Sequence, residues 1–189
     1  MKKAISAMAW QKSDPAVVQK KVINACTQLY PYILKWAAQK KSDKEVESTW
    51  NVFCQLKQKI MDTLDSENEG WVTLPRQDEC LLTNYLTHFR ARTMTFKFLE
   101  TVILCQTPKS EFSAPAPPTL CQMSLEEVSR DHSYISYRML ASEAAINFNR
   151  LLEEMSSSHI SSLNLVTVIS CLCNIARQRP EHLPQVGVI

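Results

Sequence analysis

The sequence predicts an all-α fold, an α-solenoid of antiparallel helix pairs. Three observations lead there. Asp131–Arg179 holds two apolar-periodic segments of about four or five turns each, joined at Ser156-Ser157-Ser158-His159. That is an αα-hairpin, the unit that helical repeat proteins stack. Glycine occurs only at 70 and 187, whereas β-hairpins and phosphate-cradling loops consume it. Elsewhere, apolar residues recur at spacings of three and four, the period of a helix with one buried face.

Taken in order, Lys2–Gln11 has Ala4, Ile5, Met8 and Ala9 at helical spacing. Asp14 then fits an N-cap with Pro15 in the first helical position. From Pro15 to Gln39, Val18, Val22, Ala25, Cys26, Leu29, Ile33 and Trp36 form a stripe. Pro31 lacks the N–H that position needs, which predicts a kink or break near Tyr30. Lys40–Asp43 is a polar joint. Lys44–Leu64 carries Val46, Trp50, Phe53, Leu56, Ile60 and Leu64 on one face, and Asp65–Gly70 closes it as a turn. That acidic run lacks the alternating ligands and terminal Glu of a calcium loop. Trp71–Arg90 is interrupted by Pro75, and Asp78 can cap a helix through Leu81, Leu82, Tyr85, Leu86 and Phe89. Phe96, Leu99, Val102 and Ile103 define a further face between Arg92 and Gln106.

Thr107–Met123, with Pro108, Pro115, Pro117 and Pro118, reads as a connector that no helix crosses. A polyproline ligand for an SH3-like partner would need a flanking Arg that is absent. After a short amphipathic piece at Ser124–Arg130, the last two helices are expected at Ser133–Met155 and Ser162–Gln178. Leu165, Val168, Ile169, Leu172, Ile175 and Ala176 line the second. Ser161 or Ser162 caps it, and Arg177 and Arg179 sit at its C-terminal dipole end. These last two helices, with the one at 15–39, are the expected structural spine. The tail after Pro180 has no closing repeat, as in a piece of a longer array.

Composition narrows the function. Apolar residues make up 45% and charged residues 21%, ordinary for a globular chain. Net charge is +2, but residues 1–60 carry eleven Lys/Arg against four Asp/Glu. Such polarity steers an acidic partner to one end, or is a set of solvated helix faces. Lys20, Lys21, Lys35, Lys40, Lys41 and Lys44, with Tyr30, Tyr32 and Trp36 nearby, make weak RNA contact an alternative. Trp36 fits the apolar stripe, which leaves only part of that aromatic set to stack on bases. The seven Cys include no Cys-x-x-Cys, Cys171 and Cys173 fall on different helix faces, and the four His show no ligand spacing. No metal site or cofactor is expected, and a reducing compartment fits. No nucleophile–base arrangement or nucleophile elbow occurs, so no catalytic residues are expected. No apolar window is long enough to span a membrane.

Several stretches carry a family likeness. SLEEVSRDHSYISY (124–137), HISSLNL (159–165), NIARQRP (174–180), VVQKKVINACTQLYPYILKW (17–36), LDSENEG (64–70) and RTMTFKFLETVILCQTP (92–108) resemble, in the same order, the N-terminal helical-repeat region of the symplekin family. The resemblance implies a HEAT/ARM-like stack, with 1–106 as N-terminal helices, 107–123 as Pro-rich linker and 124–189 as a C-terminal helix pair of the same array. Residues 71–91 are an insert without a family counterpart. The resemblance also implies a nuclear, non-catalytic scaffold among the cleavage and polyadenylation factors of mRNA 3′-end formation, docking a phosphatase of the RNA polymerase II C-terminal domain. Lys97, in TFKFLE, matches a position on the phosphatase-facing surface. Arg92, Lys20 and Lys21 are further candidates for that contact.

Overall fold

A computed structural model describes residue 5 and residues 16–65, 79–115, 122–158 and 160–187; for Ala16, Asp65 and 79–90 the description covers backbone only. Its helices are α1 (Ala16–Gln39), α2 (Lys44–Asp65), α3 (Glu79–Cys105), α4 (Tyr137–Met155), α5 (Ser162–Gln178) and a single turn, α6 (Leu183–Val186). Short 3₁₀ turns lie at Leu125–Glu127 and Pro180–His182. The expected helix at Lys2–Gln11, the Asp14–Pro15 cap, the acidic turn beyond Asp65 and the Asp78 cap lie outside the described residues.

Side-chain pairs fix the helix directions. Thr63 near the end of α2 meets Thr95 at 3.0 Å. Lys57, earlier in α2, pairs with Glu143, whose carboxylate also accepts from Gln106 just past α3. α2 therefore runs antiparallel to α3. α4 does too, because Arg92 holds Glu154 at one end while Gln106 holds Glu143 at the other. α5 runs parallel to α3: Thr93 pairs with Asn164, Glu100 with Asn174, and Arg179 with Thr107. α1, linked to α2 by the short joint at 40–43, also runs parallel to α3. The result is two layers, α1, α3 and α5 in one, with α2 and α4 in the grooves between them. The all-α, solenoid-like stack is as the sequence predicts.

α3 is the centre, not the C-terminal pair with α1. It packs against all four long neighbours, most extensively α1 and α5. Its chemistry explains this: Phe96, Phe98, Leu99, Val102 and Ile103 are all fully buried. Phe98 and Leu99 are adjacent, so apolar residues occur all round the helix rather than on one stripe. Each such side chain contributes about 1.5–3 kcal/mol of burial. Nor does α3 begin near Arg92. Residues 79–90, which fall within the expected 71–91 insert, are its first turns.

Other differences concern rotation and ends. α1 is not interrupted at Pro31. Its buried face is Ile23, Cys26, Tyr30, Ile33, Leu34 and Ala37, while Val18 is exposed. Tyr30 turns inward because Trp50, Phe53 and Phe98 ring it at 5.9–6.5 Å, and its hydroxyl accepts from Gln106 Nε2 at 2.7 Å. α2 buries the predicted face, and Asp43 caps it by accepting from the N–H groups of Glu45 and Val46. α4 starts at Tyr137, capped by Ser136, later than the expected Ser133. In α5, Leu165 is only half-buried and Ile169 is exposed; Asn164, Thr167 and Cys171 take buried positions instead. Ser161 supplies the cap.

Two loops hold helix C-termini, whose last carbonyls lack intrahelical donors. The loop before α4 closes α1. His132 Nε2 is 3.1 Å from the Ala37 carbonyl, Tyr134 donates to Ala37 and Lys40, and Ser133 donates to Lys41. Arg179 closes α3, donating to the carbonyls of Leu104 and Thr107 and to the Thr107 hydroxyl. The expected connector is likewise tied down where it is described. Lys109 N–H reaches Glu126, and Ala114 N–H donates to the Arg177 carbonyl at 2.9 Å.

Candidate protein-docking site

Over residues 91–105, where its side chains are described, α3 is enclosed except for a narrow open stripe. It comprises Met94, Lys97 and, half-buried, Thr101, at the helical spacing of three and four. The Lys97 side chain is 44% exposed, and its ammonium lies 3.2 Å from a Glu100 carboxylate that is only 10% exposed. Asn174 of α5 donates to the other Glu100 oxygen, and Gln178 Nε2 donates to Asn174 Oδ1 at 3.2 Å. Cys171 packs beneath, its thiol directed at the Phe96 carbonyl. Burial disfavours the Lys97 charge, the neighbouring Glu100 carboxylate favours it, and on balance the pKa of the ammonium is raised. Lys97 is thus a fixed cation, held on one side and open on the other.

The other candidates are placed differently. Arg92 leaves the flank of α3 that faces α4. It pairs with Glu154 at 2.6 Å, both side chains being mostly buried, and lies 5.8 Å over the Phe96 ring. Lys20 is half-exposed and Lys21 exposed, both on the first turns of α1. Tyr30 is level with Phe98, so these lysines sit about 14 Å along the axis from the level of Lys97. The fold does not gather the four residues into one patch.

The basic third is also partly engaged internally. Lys35 pairs with Glu127 at 3.1 Å, Lys41 donates to Ser129, and Lys57 is buried against Glu143. Of the three aromatic residues, Tyr30 is buried, Trp36 half-buried, and Tyr32 exposed. Cys171 is buried and Cys173 exposed, so they diverge on α5 as their spacing predicts. Among the described residues, no group of His, Cys, Asp and Glu could hold a metal ion, and no helix is long and apolar enough to cross a membrane.

Sequence reasoning missed Glu100, which holds Lys97, and Asn174, which holds Glu100. The i, i+3 spacing of Lys97 and Glu100 was readable as a helix pair. The Asn174 contact depends on the register of α5 against α3, which local pattern does not carry.

One comparison bears on identity. The model of the Symplekin/PTA1 N-terminal family matches residues 14–187, which includes every long helix and runs across 71–91. A scaffold role in mRNA 3′-end processing goes with that family. A nearly full-length match and an all-helical two-layer stack agree: the chain belongs to the Symplekin/PTA1 N-terminal family.

Proposed function

We propose that the chain is a non-catalytic docking scaffold of the nuclear cleavage and polyadenylation machinery. It binds a phosphatase of the RNA polymerase II C-terminal domain through the open flank of α3 and α5 around Lys97. The observation that carries this reading is Lys97 itself, an oriented cation on the open stripe found among the described side chains of α3. A fixed cation loses less freedom on binding than a solvated one, so more of its attraction for a carboxylate is realised. Lys20 and Lys21 act at longer range, speeding encounter with an acidic surface. Arg92 contributes through the Glu154 pair that anchors α4 to α3. Direct RNA binding is the weaker reading, because Tyr30 is unavailable for stacking and Lys35, Lys41 and Lys57 have partners within the fold.

Calorimetry with the purified phosphatase tests the proposal, comparing the native chain with Lys97→Glu. The expected outcome is binding by the native chain that the variant weakens about tenfold or more, the effect of setting like charges together at an interface. Equal affinity of the two chains would remove Lys97 from the surface, and no binding by a folded native chain would refute the docking role.

A further inference from the structure

Among the large apolar side chains described, Phe112 is the most exposed, at 77%. Its position is fixed even though the segment around it reads as a connector. Ser113 N–H donates to the Ser110 carbonyl at 3.1 Å, and Ser110 N–H donates to the Ser113 hydroxyl at 3.0 Å, which closes a tight turn with Phe112 inside it. Lys109 N–H is held by Glu126 before the turn, and Ala114 N–H by the Arg177 carbonyl after it. An aromatic ring on a turn closed by two internal hydrogen bonds and anchored at two points costs little conformational entropy to bind, and large rigid aromatic residues are the usual anchors of protein interfaces.

The anchor point ties this turn to the Lys97 flank. Lys97 is held by Glu100, and Glu100 by Asn174 of α5. Arg177, whose carbonyl holds Ala114, follows three residues later, a rise of about 4.5 Å along α5. Asn174 and Arg177 thus tie both residues to the C-terminal half of α5, Lys97 through Glu100 and Phe112 through Ala114. Exposed Cys173 and Arg177 lie on α5 itself.

We infer that Phe112 is a second anchor of the surface centred on Lys97, and that the partner is a protein that sets an apolar pocket beside an acidic group. This inference rests on the docking role proposed above and adds a contact to it. The Pro-bearing stretch after α3 is then an element that presents a binding residue, in addition to linking α3 to the 3₁₀ turn at Leu125.

The test is a titration of the same phosphatase into Phe112→Ala, with the native chain and Lys97→Glu alongside and the oligomeric state checked by sedimentation. Phe112 is exposed, so Phe112→Ala is expected to melt with the native chain. It is expected to bind roughly tenfold more weakly, the loss typical of an interface anchor. Native affinity in Phe112→Ala, with Lys97→Glu weakened, overturns the inference and leaves the docking role standing. Loss of a self-associated species in Phe112→Ala, with phosphatase affinity unchanged, overturns it in favour of a second copy as the occupant. If the native chain does not bind the phosphatase, both readings fall.

Discussion

Arg179 is 2% exposed, and its guanidinium is spent on backbone carbonyls: Leu104 and Thr107 at the end of α3, and Gln178 at the end of α5. Burial lowers its pKa, but an arginine remains charged. A full positive charge at two parallel helix C-termini meets the negative ends of both dipoles. Replacing it with Met leaves those carbonyls buried without donors. Arg179→Met is expected to cost on the order of 3 kcal/mol, read as a lower urea midpoint with an unchanged slope. A midpoint within error of the native chain would show that the carbonyls find other donors. The sequence alone places Arg179 at the C-terminal dipole of α5. That half was legible because it is local; the reach to α3 depends on the parallel packing of two helices 72 residues apart at the Thr107 contact. His132 and Tyr134 repeat the pattern at α1. Two of the stretches that carry the family likeness, 124–137 and 174–180, thus close helix ends.

For the helices, legibility followed the number of neighbours. α2 lies in a groove with one side to solvent, and its apolar stripe was read correctly because one face suffices. α1 and α5 were placed by their periodicity but rotated, since an inward polar group can displace an aliphatic one when its hydrogen bonds are met. Tyr30 does so through Gln106, and Asn164 through Thr93. In α3 the face at Phe96, Leu99, Val102 and Ile103 is buried as its spacing predicts, but Phe98 is buried beside it, which a single stripe does not foretell. Leu172, 1% exposed, was read as a core residue of α5 and is one. Leu172→Asp would bury an unpaired carboxylate between α5 and its neighbours. It is expected to melt the α4–α5 pair, lowering far-UV ellipticity and reducing stability by more than about 3 kcal/mol. Native-like thermal melting would mean that α5 does not pack through this face.

At the scale of the molecule, three parallel helices share a layer and the other two fill its grooves. α2 and α4 are bridged by Lys57 and Glu143, at 2.5 Å. The arrangement leaves a flank of α3 open at Met94, Lys97 and Thr101, with Lys97 as its oriented cation. The docking role, and the place of Phe112 within it, both predict that the partner covers the layer of α1, α3 and α5 and leaves α2 and α4 bare. Amide hydrogen exchange of the chain, with and without the bound phosphatase, tests this most directly. The account predicts added protection at 94–104 in α3, 109–114 in the turn and 170–177 in α5, with 44–65 and 137–155 unchanged. Protection confined to α2 and α4, or binding that leaves 94–104 exchanging as in the free chain, would contradict it.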